Sequence, residues 1–236
     1  MLKEYNKLWV FGDSYTTPGA CVNPRDSFWG LTAKHLNTKE IINCSWPGNS
    51  FGSVCHLLVS MQQQFNFNED FFIIGIPPLE RLTVFDNFKN TKYNAKCFKT
   101  DTWSKTQQRL DCHTGLEIIK GHEAQQMVVY EDRSWTETQT LTTLFLITTW
   151  LDSVNANYLV VNLGKPLDAN NKWGPSEFVL PFCQNHSRCI LFEDTYYSVN
   201  VNLNEPADFK LYGWNGHHGP AGNAHFFETS VKGRLC

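Results

Sequence analysis

Positive charge is not in excess in this sequence: 20 Lys and Arg stand against 23 Asp and Glu, for a net charge of −3, and no basic stripe gathers them. That argues against a nucleic-acid partner, because binding phosphates needs a concentrated cationic footprint. Long hydrophobic runs are missing too. The longest, Leu141 to Leu151, is broken by threonines and falls short of the ~20 residues that a membrane-spanning helix takes. No Cys-x-x-Cys pair occurs among the eight cysteines, Cys21, Cys44, Cys55, Cys97, Cys112, Cys183, Cys189 and Cys236. Their spacing is not that of a zinc site, and a chain of 236 residues does not need disulfide staples. Most of the thiols therefore read as buried or reduced, with one bridge left open between the near neighbours Cys183 and Cys189. The polar start, Met1 to Lys7, has no secretory hydrophobic region, so cytoplasmic synthesis without a signal peptide is expected. No internal repeat or low-complexity tract interrupts the chain.

What is present is ordinary for a globular protein: 42% hydrophobic and 18% charged residues, in a length that suits one large domain. Aromatics are plentiful, at 14% with eight Trp; the core takes most of them, and a binding groove takes the rest. The pattern along the chain is alternating. Leu8 to Phe11 is an apolar run that stops at Gly12-Asp13-Ser14, which reads as a buried strand delivering a serine into a tight turn. A helix follows over Ser27 to Leu36, with Ser27 as its cap. Glu40 to Cys44 is a short strand, Val54 to Phe65 a helix, and Asp70 to Ile76 a continuous apolar run typical of a central parallel strand. Residues 86–135 show no clear period and read as an inserted cap, with a small hairpin near Gln126 to Tyr130. Thr136 to Ser153 is a long helix, Asn157 to Leu163 a strand, Cys189 to Phe192 a weaker one, and Ala221 to Lys232 a terminal helix. Strands alternating with helices imply an α/β fold around a parallel sheet.

Four segments carry the candidate chemistry: Gly12-Asp13-Ser14, Gly48-Asn49-Ser50, Gly75-Ile76-Pro77, and the run from Asn215 through His217 and His218 to Asn223. Parallel strands share one carboxyl edge, where ligands bind, and all four segments fit there. A serine becomes a nucleophile beside a base, which a histidine supplies. Backbone N–H groups near glycine then hold the oxyanion. The remaining histidines (His35, His56, His113, His122, His186 and His225) have no partners at metal-ligand spacing, so neither a metal nor a cofactor is expected. Asp13 reads as a brace for the turn, and Glu80-Arg81 as an ion pair near the rim.

These blocks resemble the SGNH (GDSL) hydrolase family, and the resemblance covers most of the chain. Phe11-Gly12-Asp13-Ser14-Tyr15 is similar to the family's first block, which implies Ser14 as nucleophile with its own N–H in the oxyanion hole. Pro47-Gly48-Asn49-Ser50 is similar to the second block, with Gly48 as the second donor. His217-His218-Gly219-Pro220-Ala221-Gly222-Asn223 is similar to the C-terminal His-Pro-x-x-x-Gly block, which implies His217 as base and puts His218 in the proline's place. Two departures stand out. The third block, normally Gly-x-Asn-Asp, reads Gly75-Ile76-Pro77-Pro78, which leaves Asn49 as a stand-in donor from the neighbouring loop. Pro78-Leu79-Glu80-Arg81 instead resembles a Pro-x-x-Glu-Arg form of viral-type members. The acid before the histidine is also missing, since the matching positions hold Trp214 and Asn215. A Ser–His dyad assisted by Asn215, a backbone carbonyl in the acid's place, and a weakened site all remain open.

The resemblance implies a single-domain, three-layer α/β/α fold, flavodoxin-like, over residues 1–236. It implies an esterase acting through a Ser14 acyl-enzyme, with a small acyl group on a carbohydrate as the favoured substrate. Asp13, Tyr15, Pro77, Glu80, Arg81 and His218 would line the substrate. Acyl transfer by the same Ser–His pair is one alternative, and a non-catalytic binding module is another. The phage-like form of the blocks implies a virion-associated enzyme if a phage encodes it.

Overall fold

The computed structural model describes residues 4–17, 23–46, 49–79, 81–85, 95–99, 109–112, 119–120, 133–167, 176–200 and 218–235. Five strands build its central sheet: β1 (Lys7–Phe11), β2 (Glu40–Asn43), β3 (Phe71–Ile76), β8 (Asn157–Asn162) and β9 (Cys189–Ile190). All are parallel, in the order β2-β1-β3-β8-β9. Trp9 registers with Ile42 on one side and Phe72 on the other. Ile73 registers with Leu159.

The apolar runs of β1, β3 and β8 follow from burial on both faces, since the pleat sends successive side chains to opposite sides. On one side Trp9, Phe11, Phe72, Ile74, Tyr158 and Val160 pack in one cluster. Helices α2 (Phe51–Ser60), α3 (Arg133–Ser153) and α4 (Ser176–Asn185) supply its other wall. On the other side Leu8, Val10, Phe71, Ile73, Leu159 and Val161 pack against α1 (Phe28–His35) and α6 (Pro220–Phe226), with Tyr196 of the short α5 (Tyr196–Asn200) among them. The result is the α/β fold around a parallel sheet that the sequence pattern predicts, in the three-layer α/β/α arrangement that the resemblance implies.

Boundaries differ from that pattern where a cap outweighs hydrophobic period. Ser27 Oγ accepts from Gly30 N at 3.0 Å and opens α1 as expected. Helix α2 starts at Phe51 rather than Val54, because Ser50 Oγ accepts from Ser53 N at 3.3 Å, and it ends at Ser60, before a 3-10 turn at Gln62–Gln64. The C-terminal segment is not one helix: α6 passes into a π-helical turn, Phe227–Val231, and a 3-10 turn, Lys232–Arg234.

Within the expected cap, 86–135, the described residues before Arg133 belong to strands. An antiparallel sheet, β4 (Arg81–Phe85), β5 (Ala95–Lys99), β6 (Arg109–Cys112) and β7 (Ile119–Lys120), runs in that order. Arg81 registers with Lys99, Phe98 with Cys112 and Arg109 with Lys120. The excursion therefore begins at Arg81. The hairpin expected near Gln126 to Tyr130 lies outside the described residues.

Cys183 and Cys189 are both free thiols, as are Cys44 and Cys55. The bridge left open by the sequence is absent. Burial pushes the Cys55 and Cys183 thiols up to about 12, and it raises Cys189 further, with Cys183 beside it adding to the effect. The thiolate is the reactive form, so these are packing groups. Iodoacetamide at pH 8 is expected to leave Cys55, Cys183 and Cys189 unmodified in the native protein and to alkylate all three in urea, read by peptide mass mapping. An adduct on native Cys183 would contradict this. The folded thiols keep protons that unfolded thiols release above their ordinary value of 9.0. Their contribution is therefore full below pH 9 and declines as pH rises toward 12, so the urea midpoint should fall between pH 8 and pH 10.5.

Candidate active site

The sheet order places the site. Strands run outward from β1 in one direction to β2 and in the other to β3, β8 and β9, so the order reverses between β1 and β3. In an open α/β sheet, the crevice outside the carboxyl ends of the strands at that reversal is where ligands bind. Ser14 follows β1 there, and Pro77 follows β3.

The turn carrying Ser14 is held from within. Thr16 N donates to Asp13 O at 3.0 Å, and Tyr15 N to Asp13 Oδ1 at 3.0 Å. The Thr16 and Thr17 hydroxyls also donate to Asp13 O, at 3.1 and 2.9 Å. Asp13 is fully buried, and its carboxylate closes an Asx turn of the kind that short acidic side chains favour. Gly12 is required by space: a Cβ there would run into Thr16 Oγ1, which cannot easily yield because it is also hydrogen-bonded to the Ser45 hydroxyl at 2.8 Å.

The loop after β2 clamps this turn from outside. Trp46 N and Asn49 Nδ2 both donate to Gly12 O, at 3.3 and 3.0 Å. Asn43 Nδ2 donates to Thr16 O at 2.7 Å, and Asn43 Oδ1 accepts from Ser45 N at 2.9 Å. Within this frame Ser14 is 7% exposed, and its buried Oγ has no hydrogen-bond partner among the described residues. The neighbouring polar side chains bond to the frame.

The C-terminal segment reaches the same neighbourhood through aromatic contacts. Tyr15 meets Tyr196 edge-on, with ring centroids 5.6 Å apart, and Tyr196 meets His218 at 5.1 Å. Asn223, 2% exposed, ties this segment down. Its Nδ2 donates to His218 O and Gly219 O, both at 3.0 Å. Its Oδ1 accepts from Phe28 N at 3.0 Å, one of the N–H groups that a helix start leaves without an internal partner.

Of the residues singled out in the sequence, Asp13, Ser14, Tyr15, Asn49 and Pro77 lie at the carboxyl edge of β1 and β3, and His218 joins them through Tyr196. Asn49 uses its amide on the Gly12 carbonyl. Pro77 is buried. Arg81 opens β4. Gly48, Glu80, Asn215 and His217 lie outside the described residues. Sequence reading missed the clamp of Asn43, Ser45 and Thr16, and it missed Tyr196. One signal was there for Tyr196: Thr195 Oγ1 accepts from Ser198 N at 3.2 Å, the N-cap signature of α5. Among the described residues no group of three His, Cys, Asp or Glu is placed to hold a metal ion, and no helix is long and apolar enough to cross a membrane.

No family model matches the sequence, and no curated protein matches it. Two solved structures are similar over nearly the whole chain. One is a member of the lipolytic protein G-D-S-L family from Veillonella parvula DSM 2008, at 10% identity and a TM-score of 0.46, covering 96% of each chain. The other is the psychrotrophic esterase EstA from Pseudoalteromonas sp., at 11% identity and a TM-score of 0.45, covering 98% of each chain.

Proposed function

We propose that this chain is a serine esterase that removes a small acyl group, with an O-acetylated carbohydrate as its substrate class. One observation carries the reading: Ser14 Oγ is buried at the strand reversal and bonds to nothing among the described residues. A buried hydroxyl left unsatisfied costs about 1–3 kcal/mol, and such violations of the usual packing rules collect at functional sites. In this reading Ser14 Oγ attacks the ester carbonyl while His217 takes its proton. The Ser14 and Gly48 N–H groups receive the oxyanion. His217 returns the proton to the leaving alcohol, then activates the water that releases the acid. Asn49 supports the oxyanion site by fixing the Gly12 carbonyl. Asn215 orients the imidazole. Asp13, by bracing the turn, and Tyr15, Pro77, Glu80, Arg81 and His218 shape the substrate cleft.

The test is intact mass after exposure to a fluorophosphonate, which reports nucleophile activation without a known substrate. One adduct on the wild type, formed slowly on His217→Ala, supports the pair. No adduct on folded wild type favours a binding module instead. Asn215→Asp should label at an equal or higher rate, because an aspartate holds the same tautomer and also stabilises the imidazolium. The reverse change costs a serine protease about 10⁴ in kcat, which bounds the gain. Slower labelling would remove Asn215 from the orienting role.

A further inference from the structure

We propose that Trp46 is the platform on which the sugar ring of the substrate lies, so that it selects acetylated carbohydrates over simple alkyl acetates. The inference rests on the esterase reading of Ser14. Four described tryptophans have defined side-chain environments, and they divide sharply. Trp9 and Trp29 are buried and Trp150 is half-buried, whereas Trp46 is 57% exposed. That exposure is not the fraying of a loose loop. Ser45 before it is 7% exposed and bonded to Thr16. Its own N–H donates to Gly12 O at 3.3 Å, and its carbonyl accepts from Asn49 N at 3.1 Å. Trp46 is thus bonded through its N–H to the Gly12 carbonyl and through its own carbonyl to Asn49, whose side chain reaches the same Gly12 carbonyl, and the indole stands out from this backbone.

A single exposed apolar residue on a surface needs no explanation by itself. This one sits on the loop that clamps the nucleophile, at the edge of the sheet where ligands bind. An indole presents a flat face of negative quadrupole. The axial C–H groups of a pyranose form a flat, weakly positive face of matching size. A small alkyl alcohol has no such face. A ring carried on backbone that is bonded to the turn bearing Ser14 can therefore discriminate between two acetates whose ester bonds are chemically alike.

The test compares 6-O-acetylglucose with ethyl acetate, both primary alkyl acetates, by acid release at constant pH. Trp46→Ala should lower kcat/KM on the sugar ester about tenfold more than on ethyl acetate, mainly through KM, as the loss of one stacked ring implies. Trp46→Phe, which keeps a smaller platform, should recover most of the difference. Equal losses on both esters, or no loss on the sugar ester, would overturn the platform role. A wild type that leaves 6-O-acetylglucose intact overturns it as well. If that wild type still takes the fluorophosphonate, the esterase reading stands without the platform. If it takes none, that reading falls too.

Discussion

Ser14→Ala is expected to abolish fluorophosphonate labelling and to cut ester hydrolysis by at least ~10³-fold, while leaving the protein as stable as the wild type or more stable. Under the proposed esterase reading the activity loss follows from removing the atom that would form the acyl bond; deletion of a serine nucleophile in a protease reaches ~10⁶ in kcat. The stability half of the result is the more informative. Most buried serines are anchored, and replacing one with alanine strands its partner at a cost of about 1–3 kcal/mol. Ser14 Oγ has no partner among the described residues to strand, and the bonds that shape its turn belong to Asp13, Tyr15, Thr16 and Asn49. Deleting the hydroxyl breaks no hydrogen bond among the described residues and leaves those bonds intact. Urea denaturation of the two proteins at neutral pH measures the sign. A variant destabilised by more than about 1 kcal/mol would mean that the hydroxyl is a structural bond, and Ser14 would revert to an ordinary turn residue.

The position of Ser14 was legible in the sequence because of the strand that precedes it. A strand buried on both faces must be apolar throughout, so Leu8 to Phe11 and Phe71 to Ile76 announce themselves, and the abrupt Gly12-Asp13-Ser14 marks where the chain leaves the sheet. Helix α4 was invisible because Pro181 sits inside it, and proline ordinarily ends a helix. The antiparallel strands from Arg81 to Lys120 were hidden by their brevity and mixed polarity, since two to five residues carry too little alternation to separate a strand from a loop. The clamp around the turn could not be read at all. Asn43 to Thr16, Ser45 to Thr16 and Asn49 to Gly12 are pairings between two loops that become neighbours only once β1 and β2 lie side by side. A local pattern shows that these residues are polar; which carbonyl each one reaches is decided by the sheet.

Asn223 extends that point to the histidine segment and gives the second large effect. It looks like the last residue of a short motif, yet its carboxamide joins positions 195 residues apart. Asn223→Ala should destabilise the protein by about 2–4 kcal/mol, because it strands the Phe28 N–H at the start of α1 and takes donors from the carbonyls of His218 and Gly219. It should also slow fluorophosphonate labelling about 10²-fold per folded molecule, the scale of loss when a reacting group shifts by roughly 1 Å. Asn223→Asp separates these two consequences. Its carboxylate still accepts from Phe28 N, where the positive end of the α1 dipole favours a negative charge. Its other oxygen faces two carbonyl oxygens with no proton to offer. This variant should regain part of the stability of α1 while labelling as slowly as Asn223→Ala. Labelling is measured well below the melting temperature of each variant, so that the folded fraction is near unity. If both variants label at the wild-type rate, Asn223 holds only the fold. If both are slow while Asn223→Asp is the more stable, the carboxamide positions the base: one end fixes a helix, and the other fixes the segment that delivers His217 to Ser14.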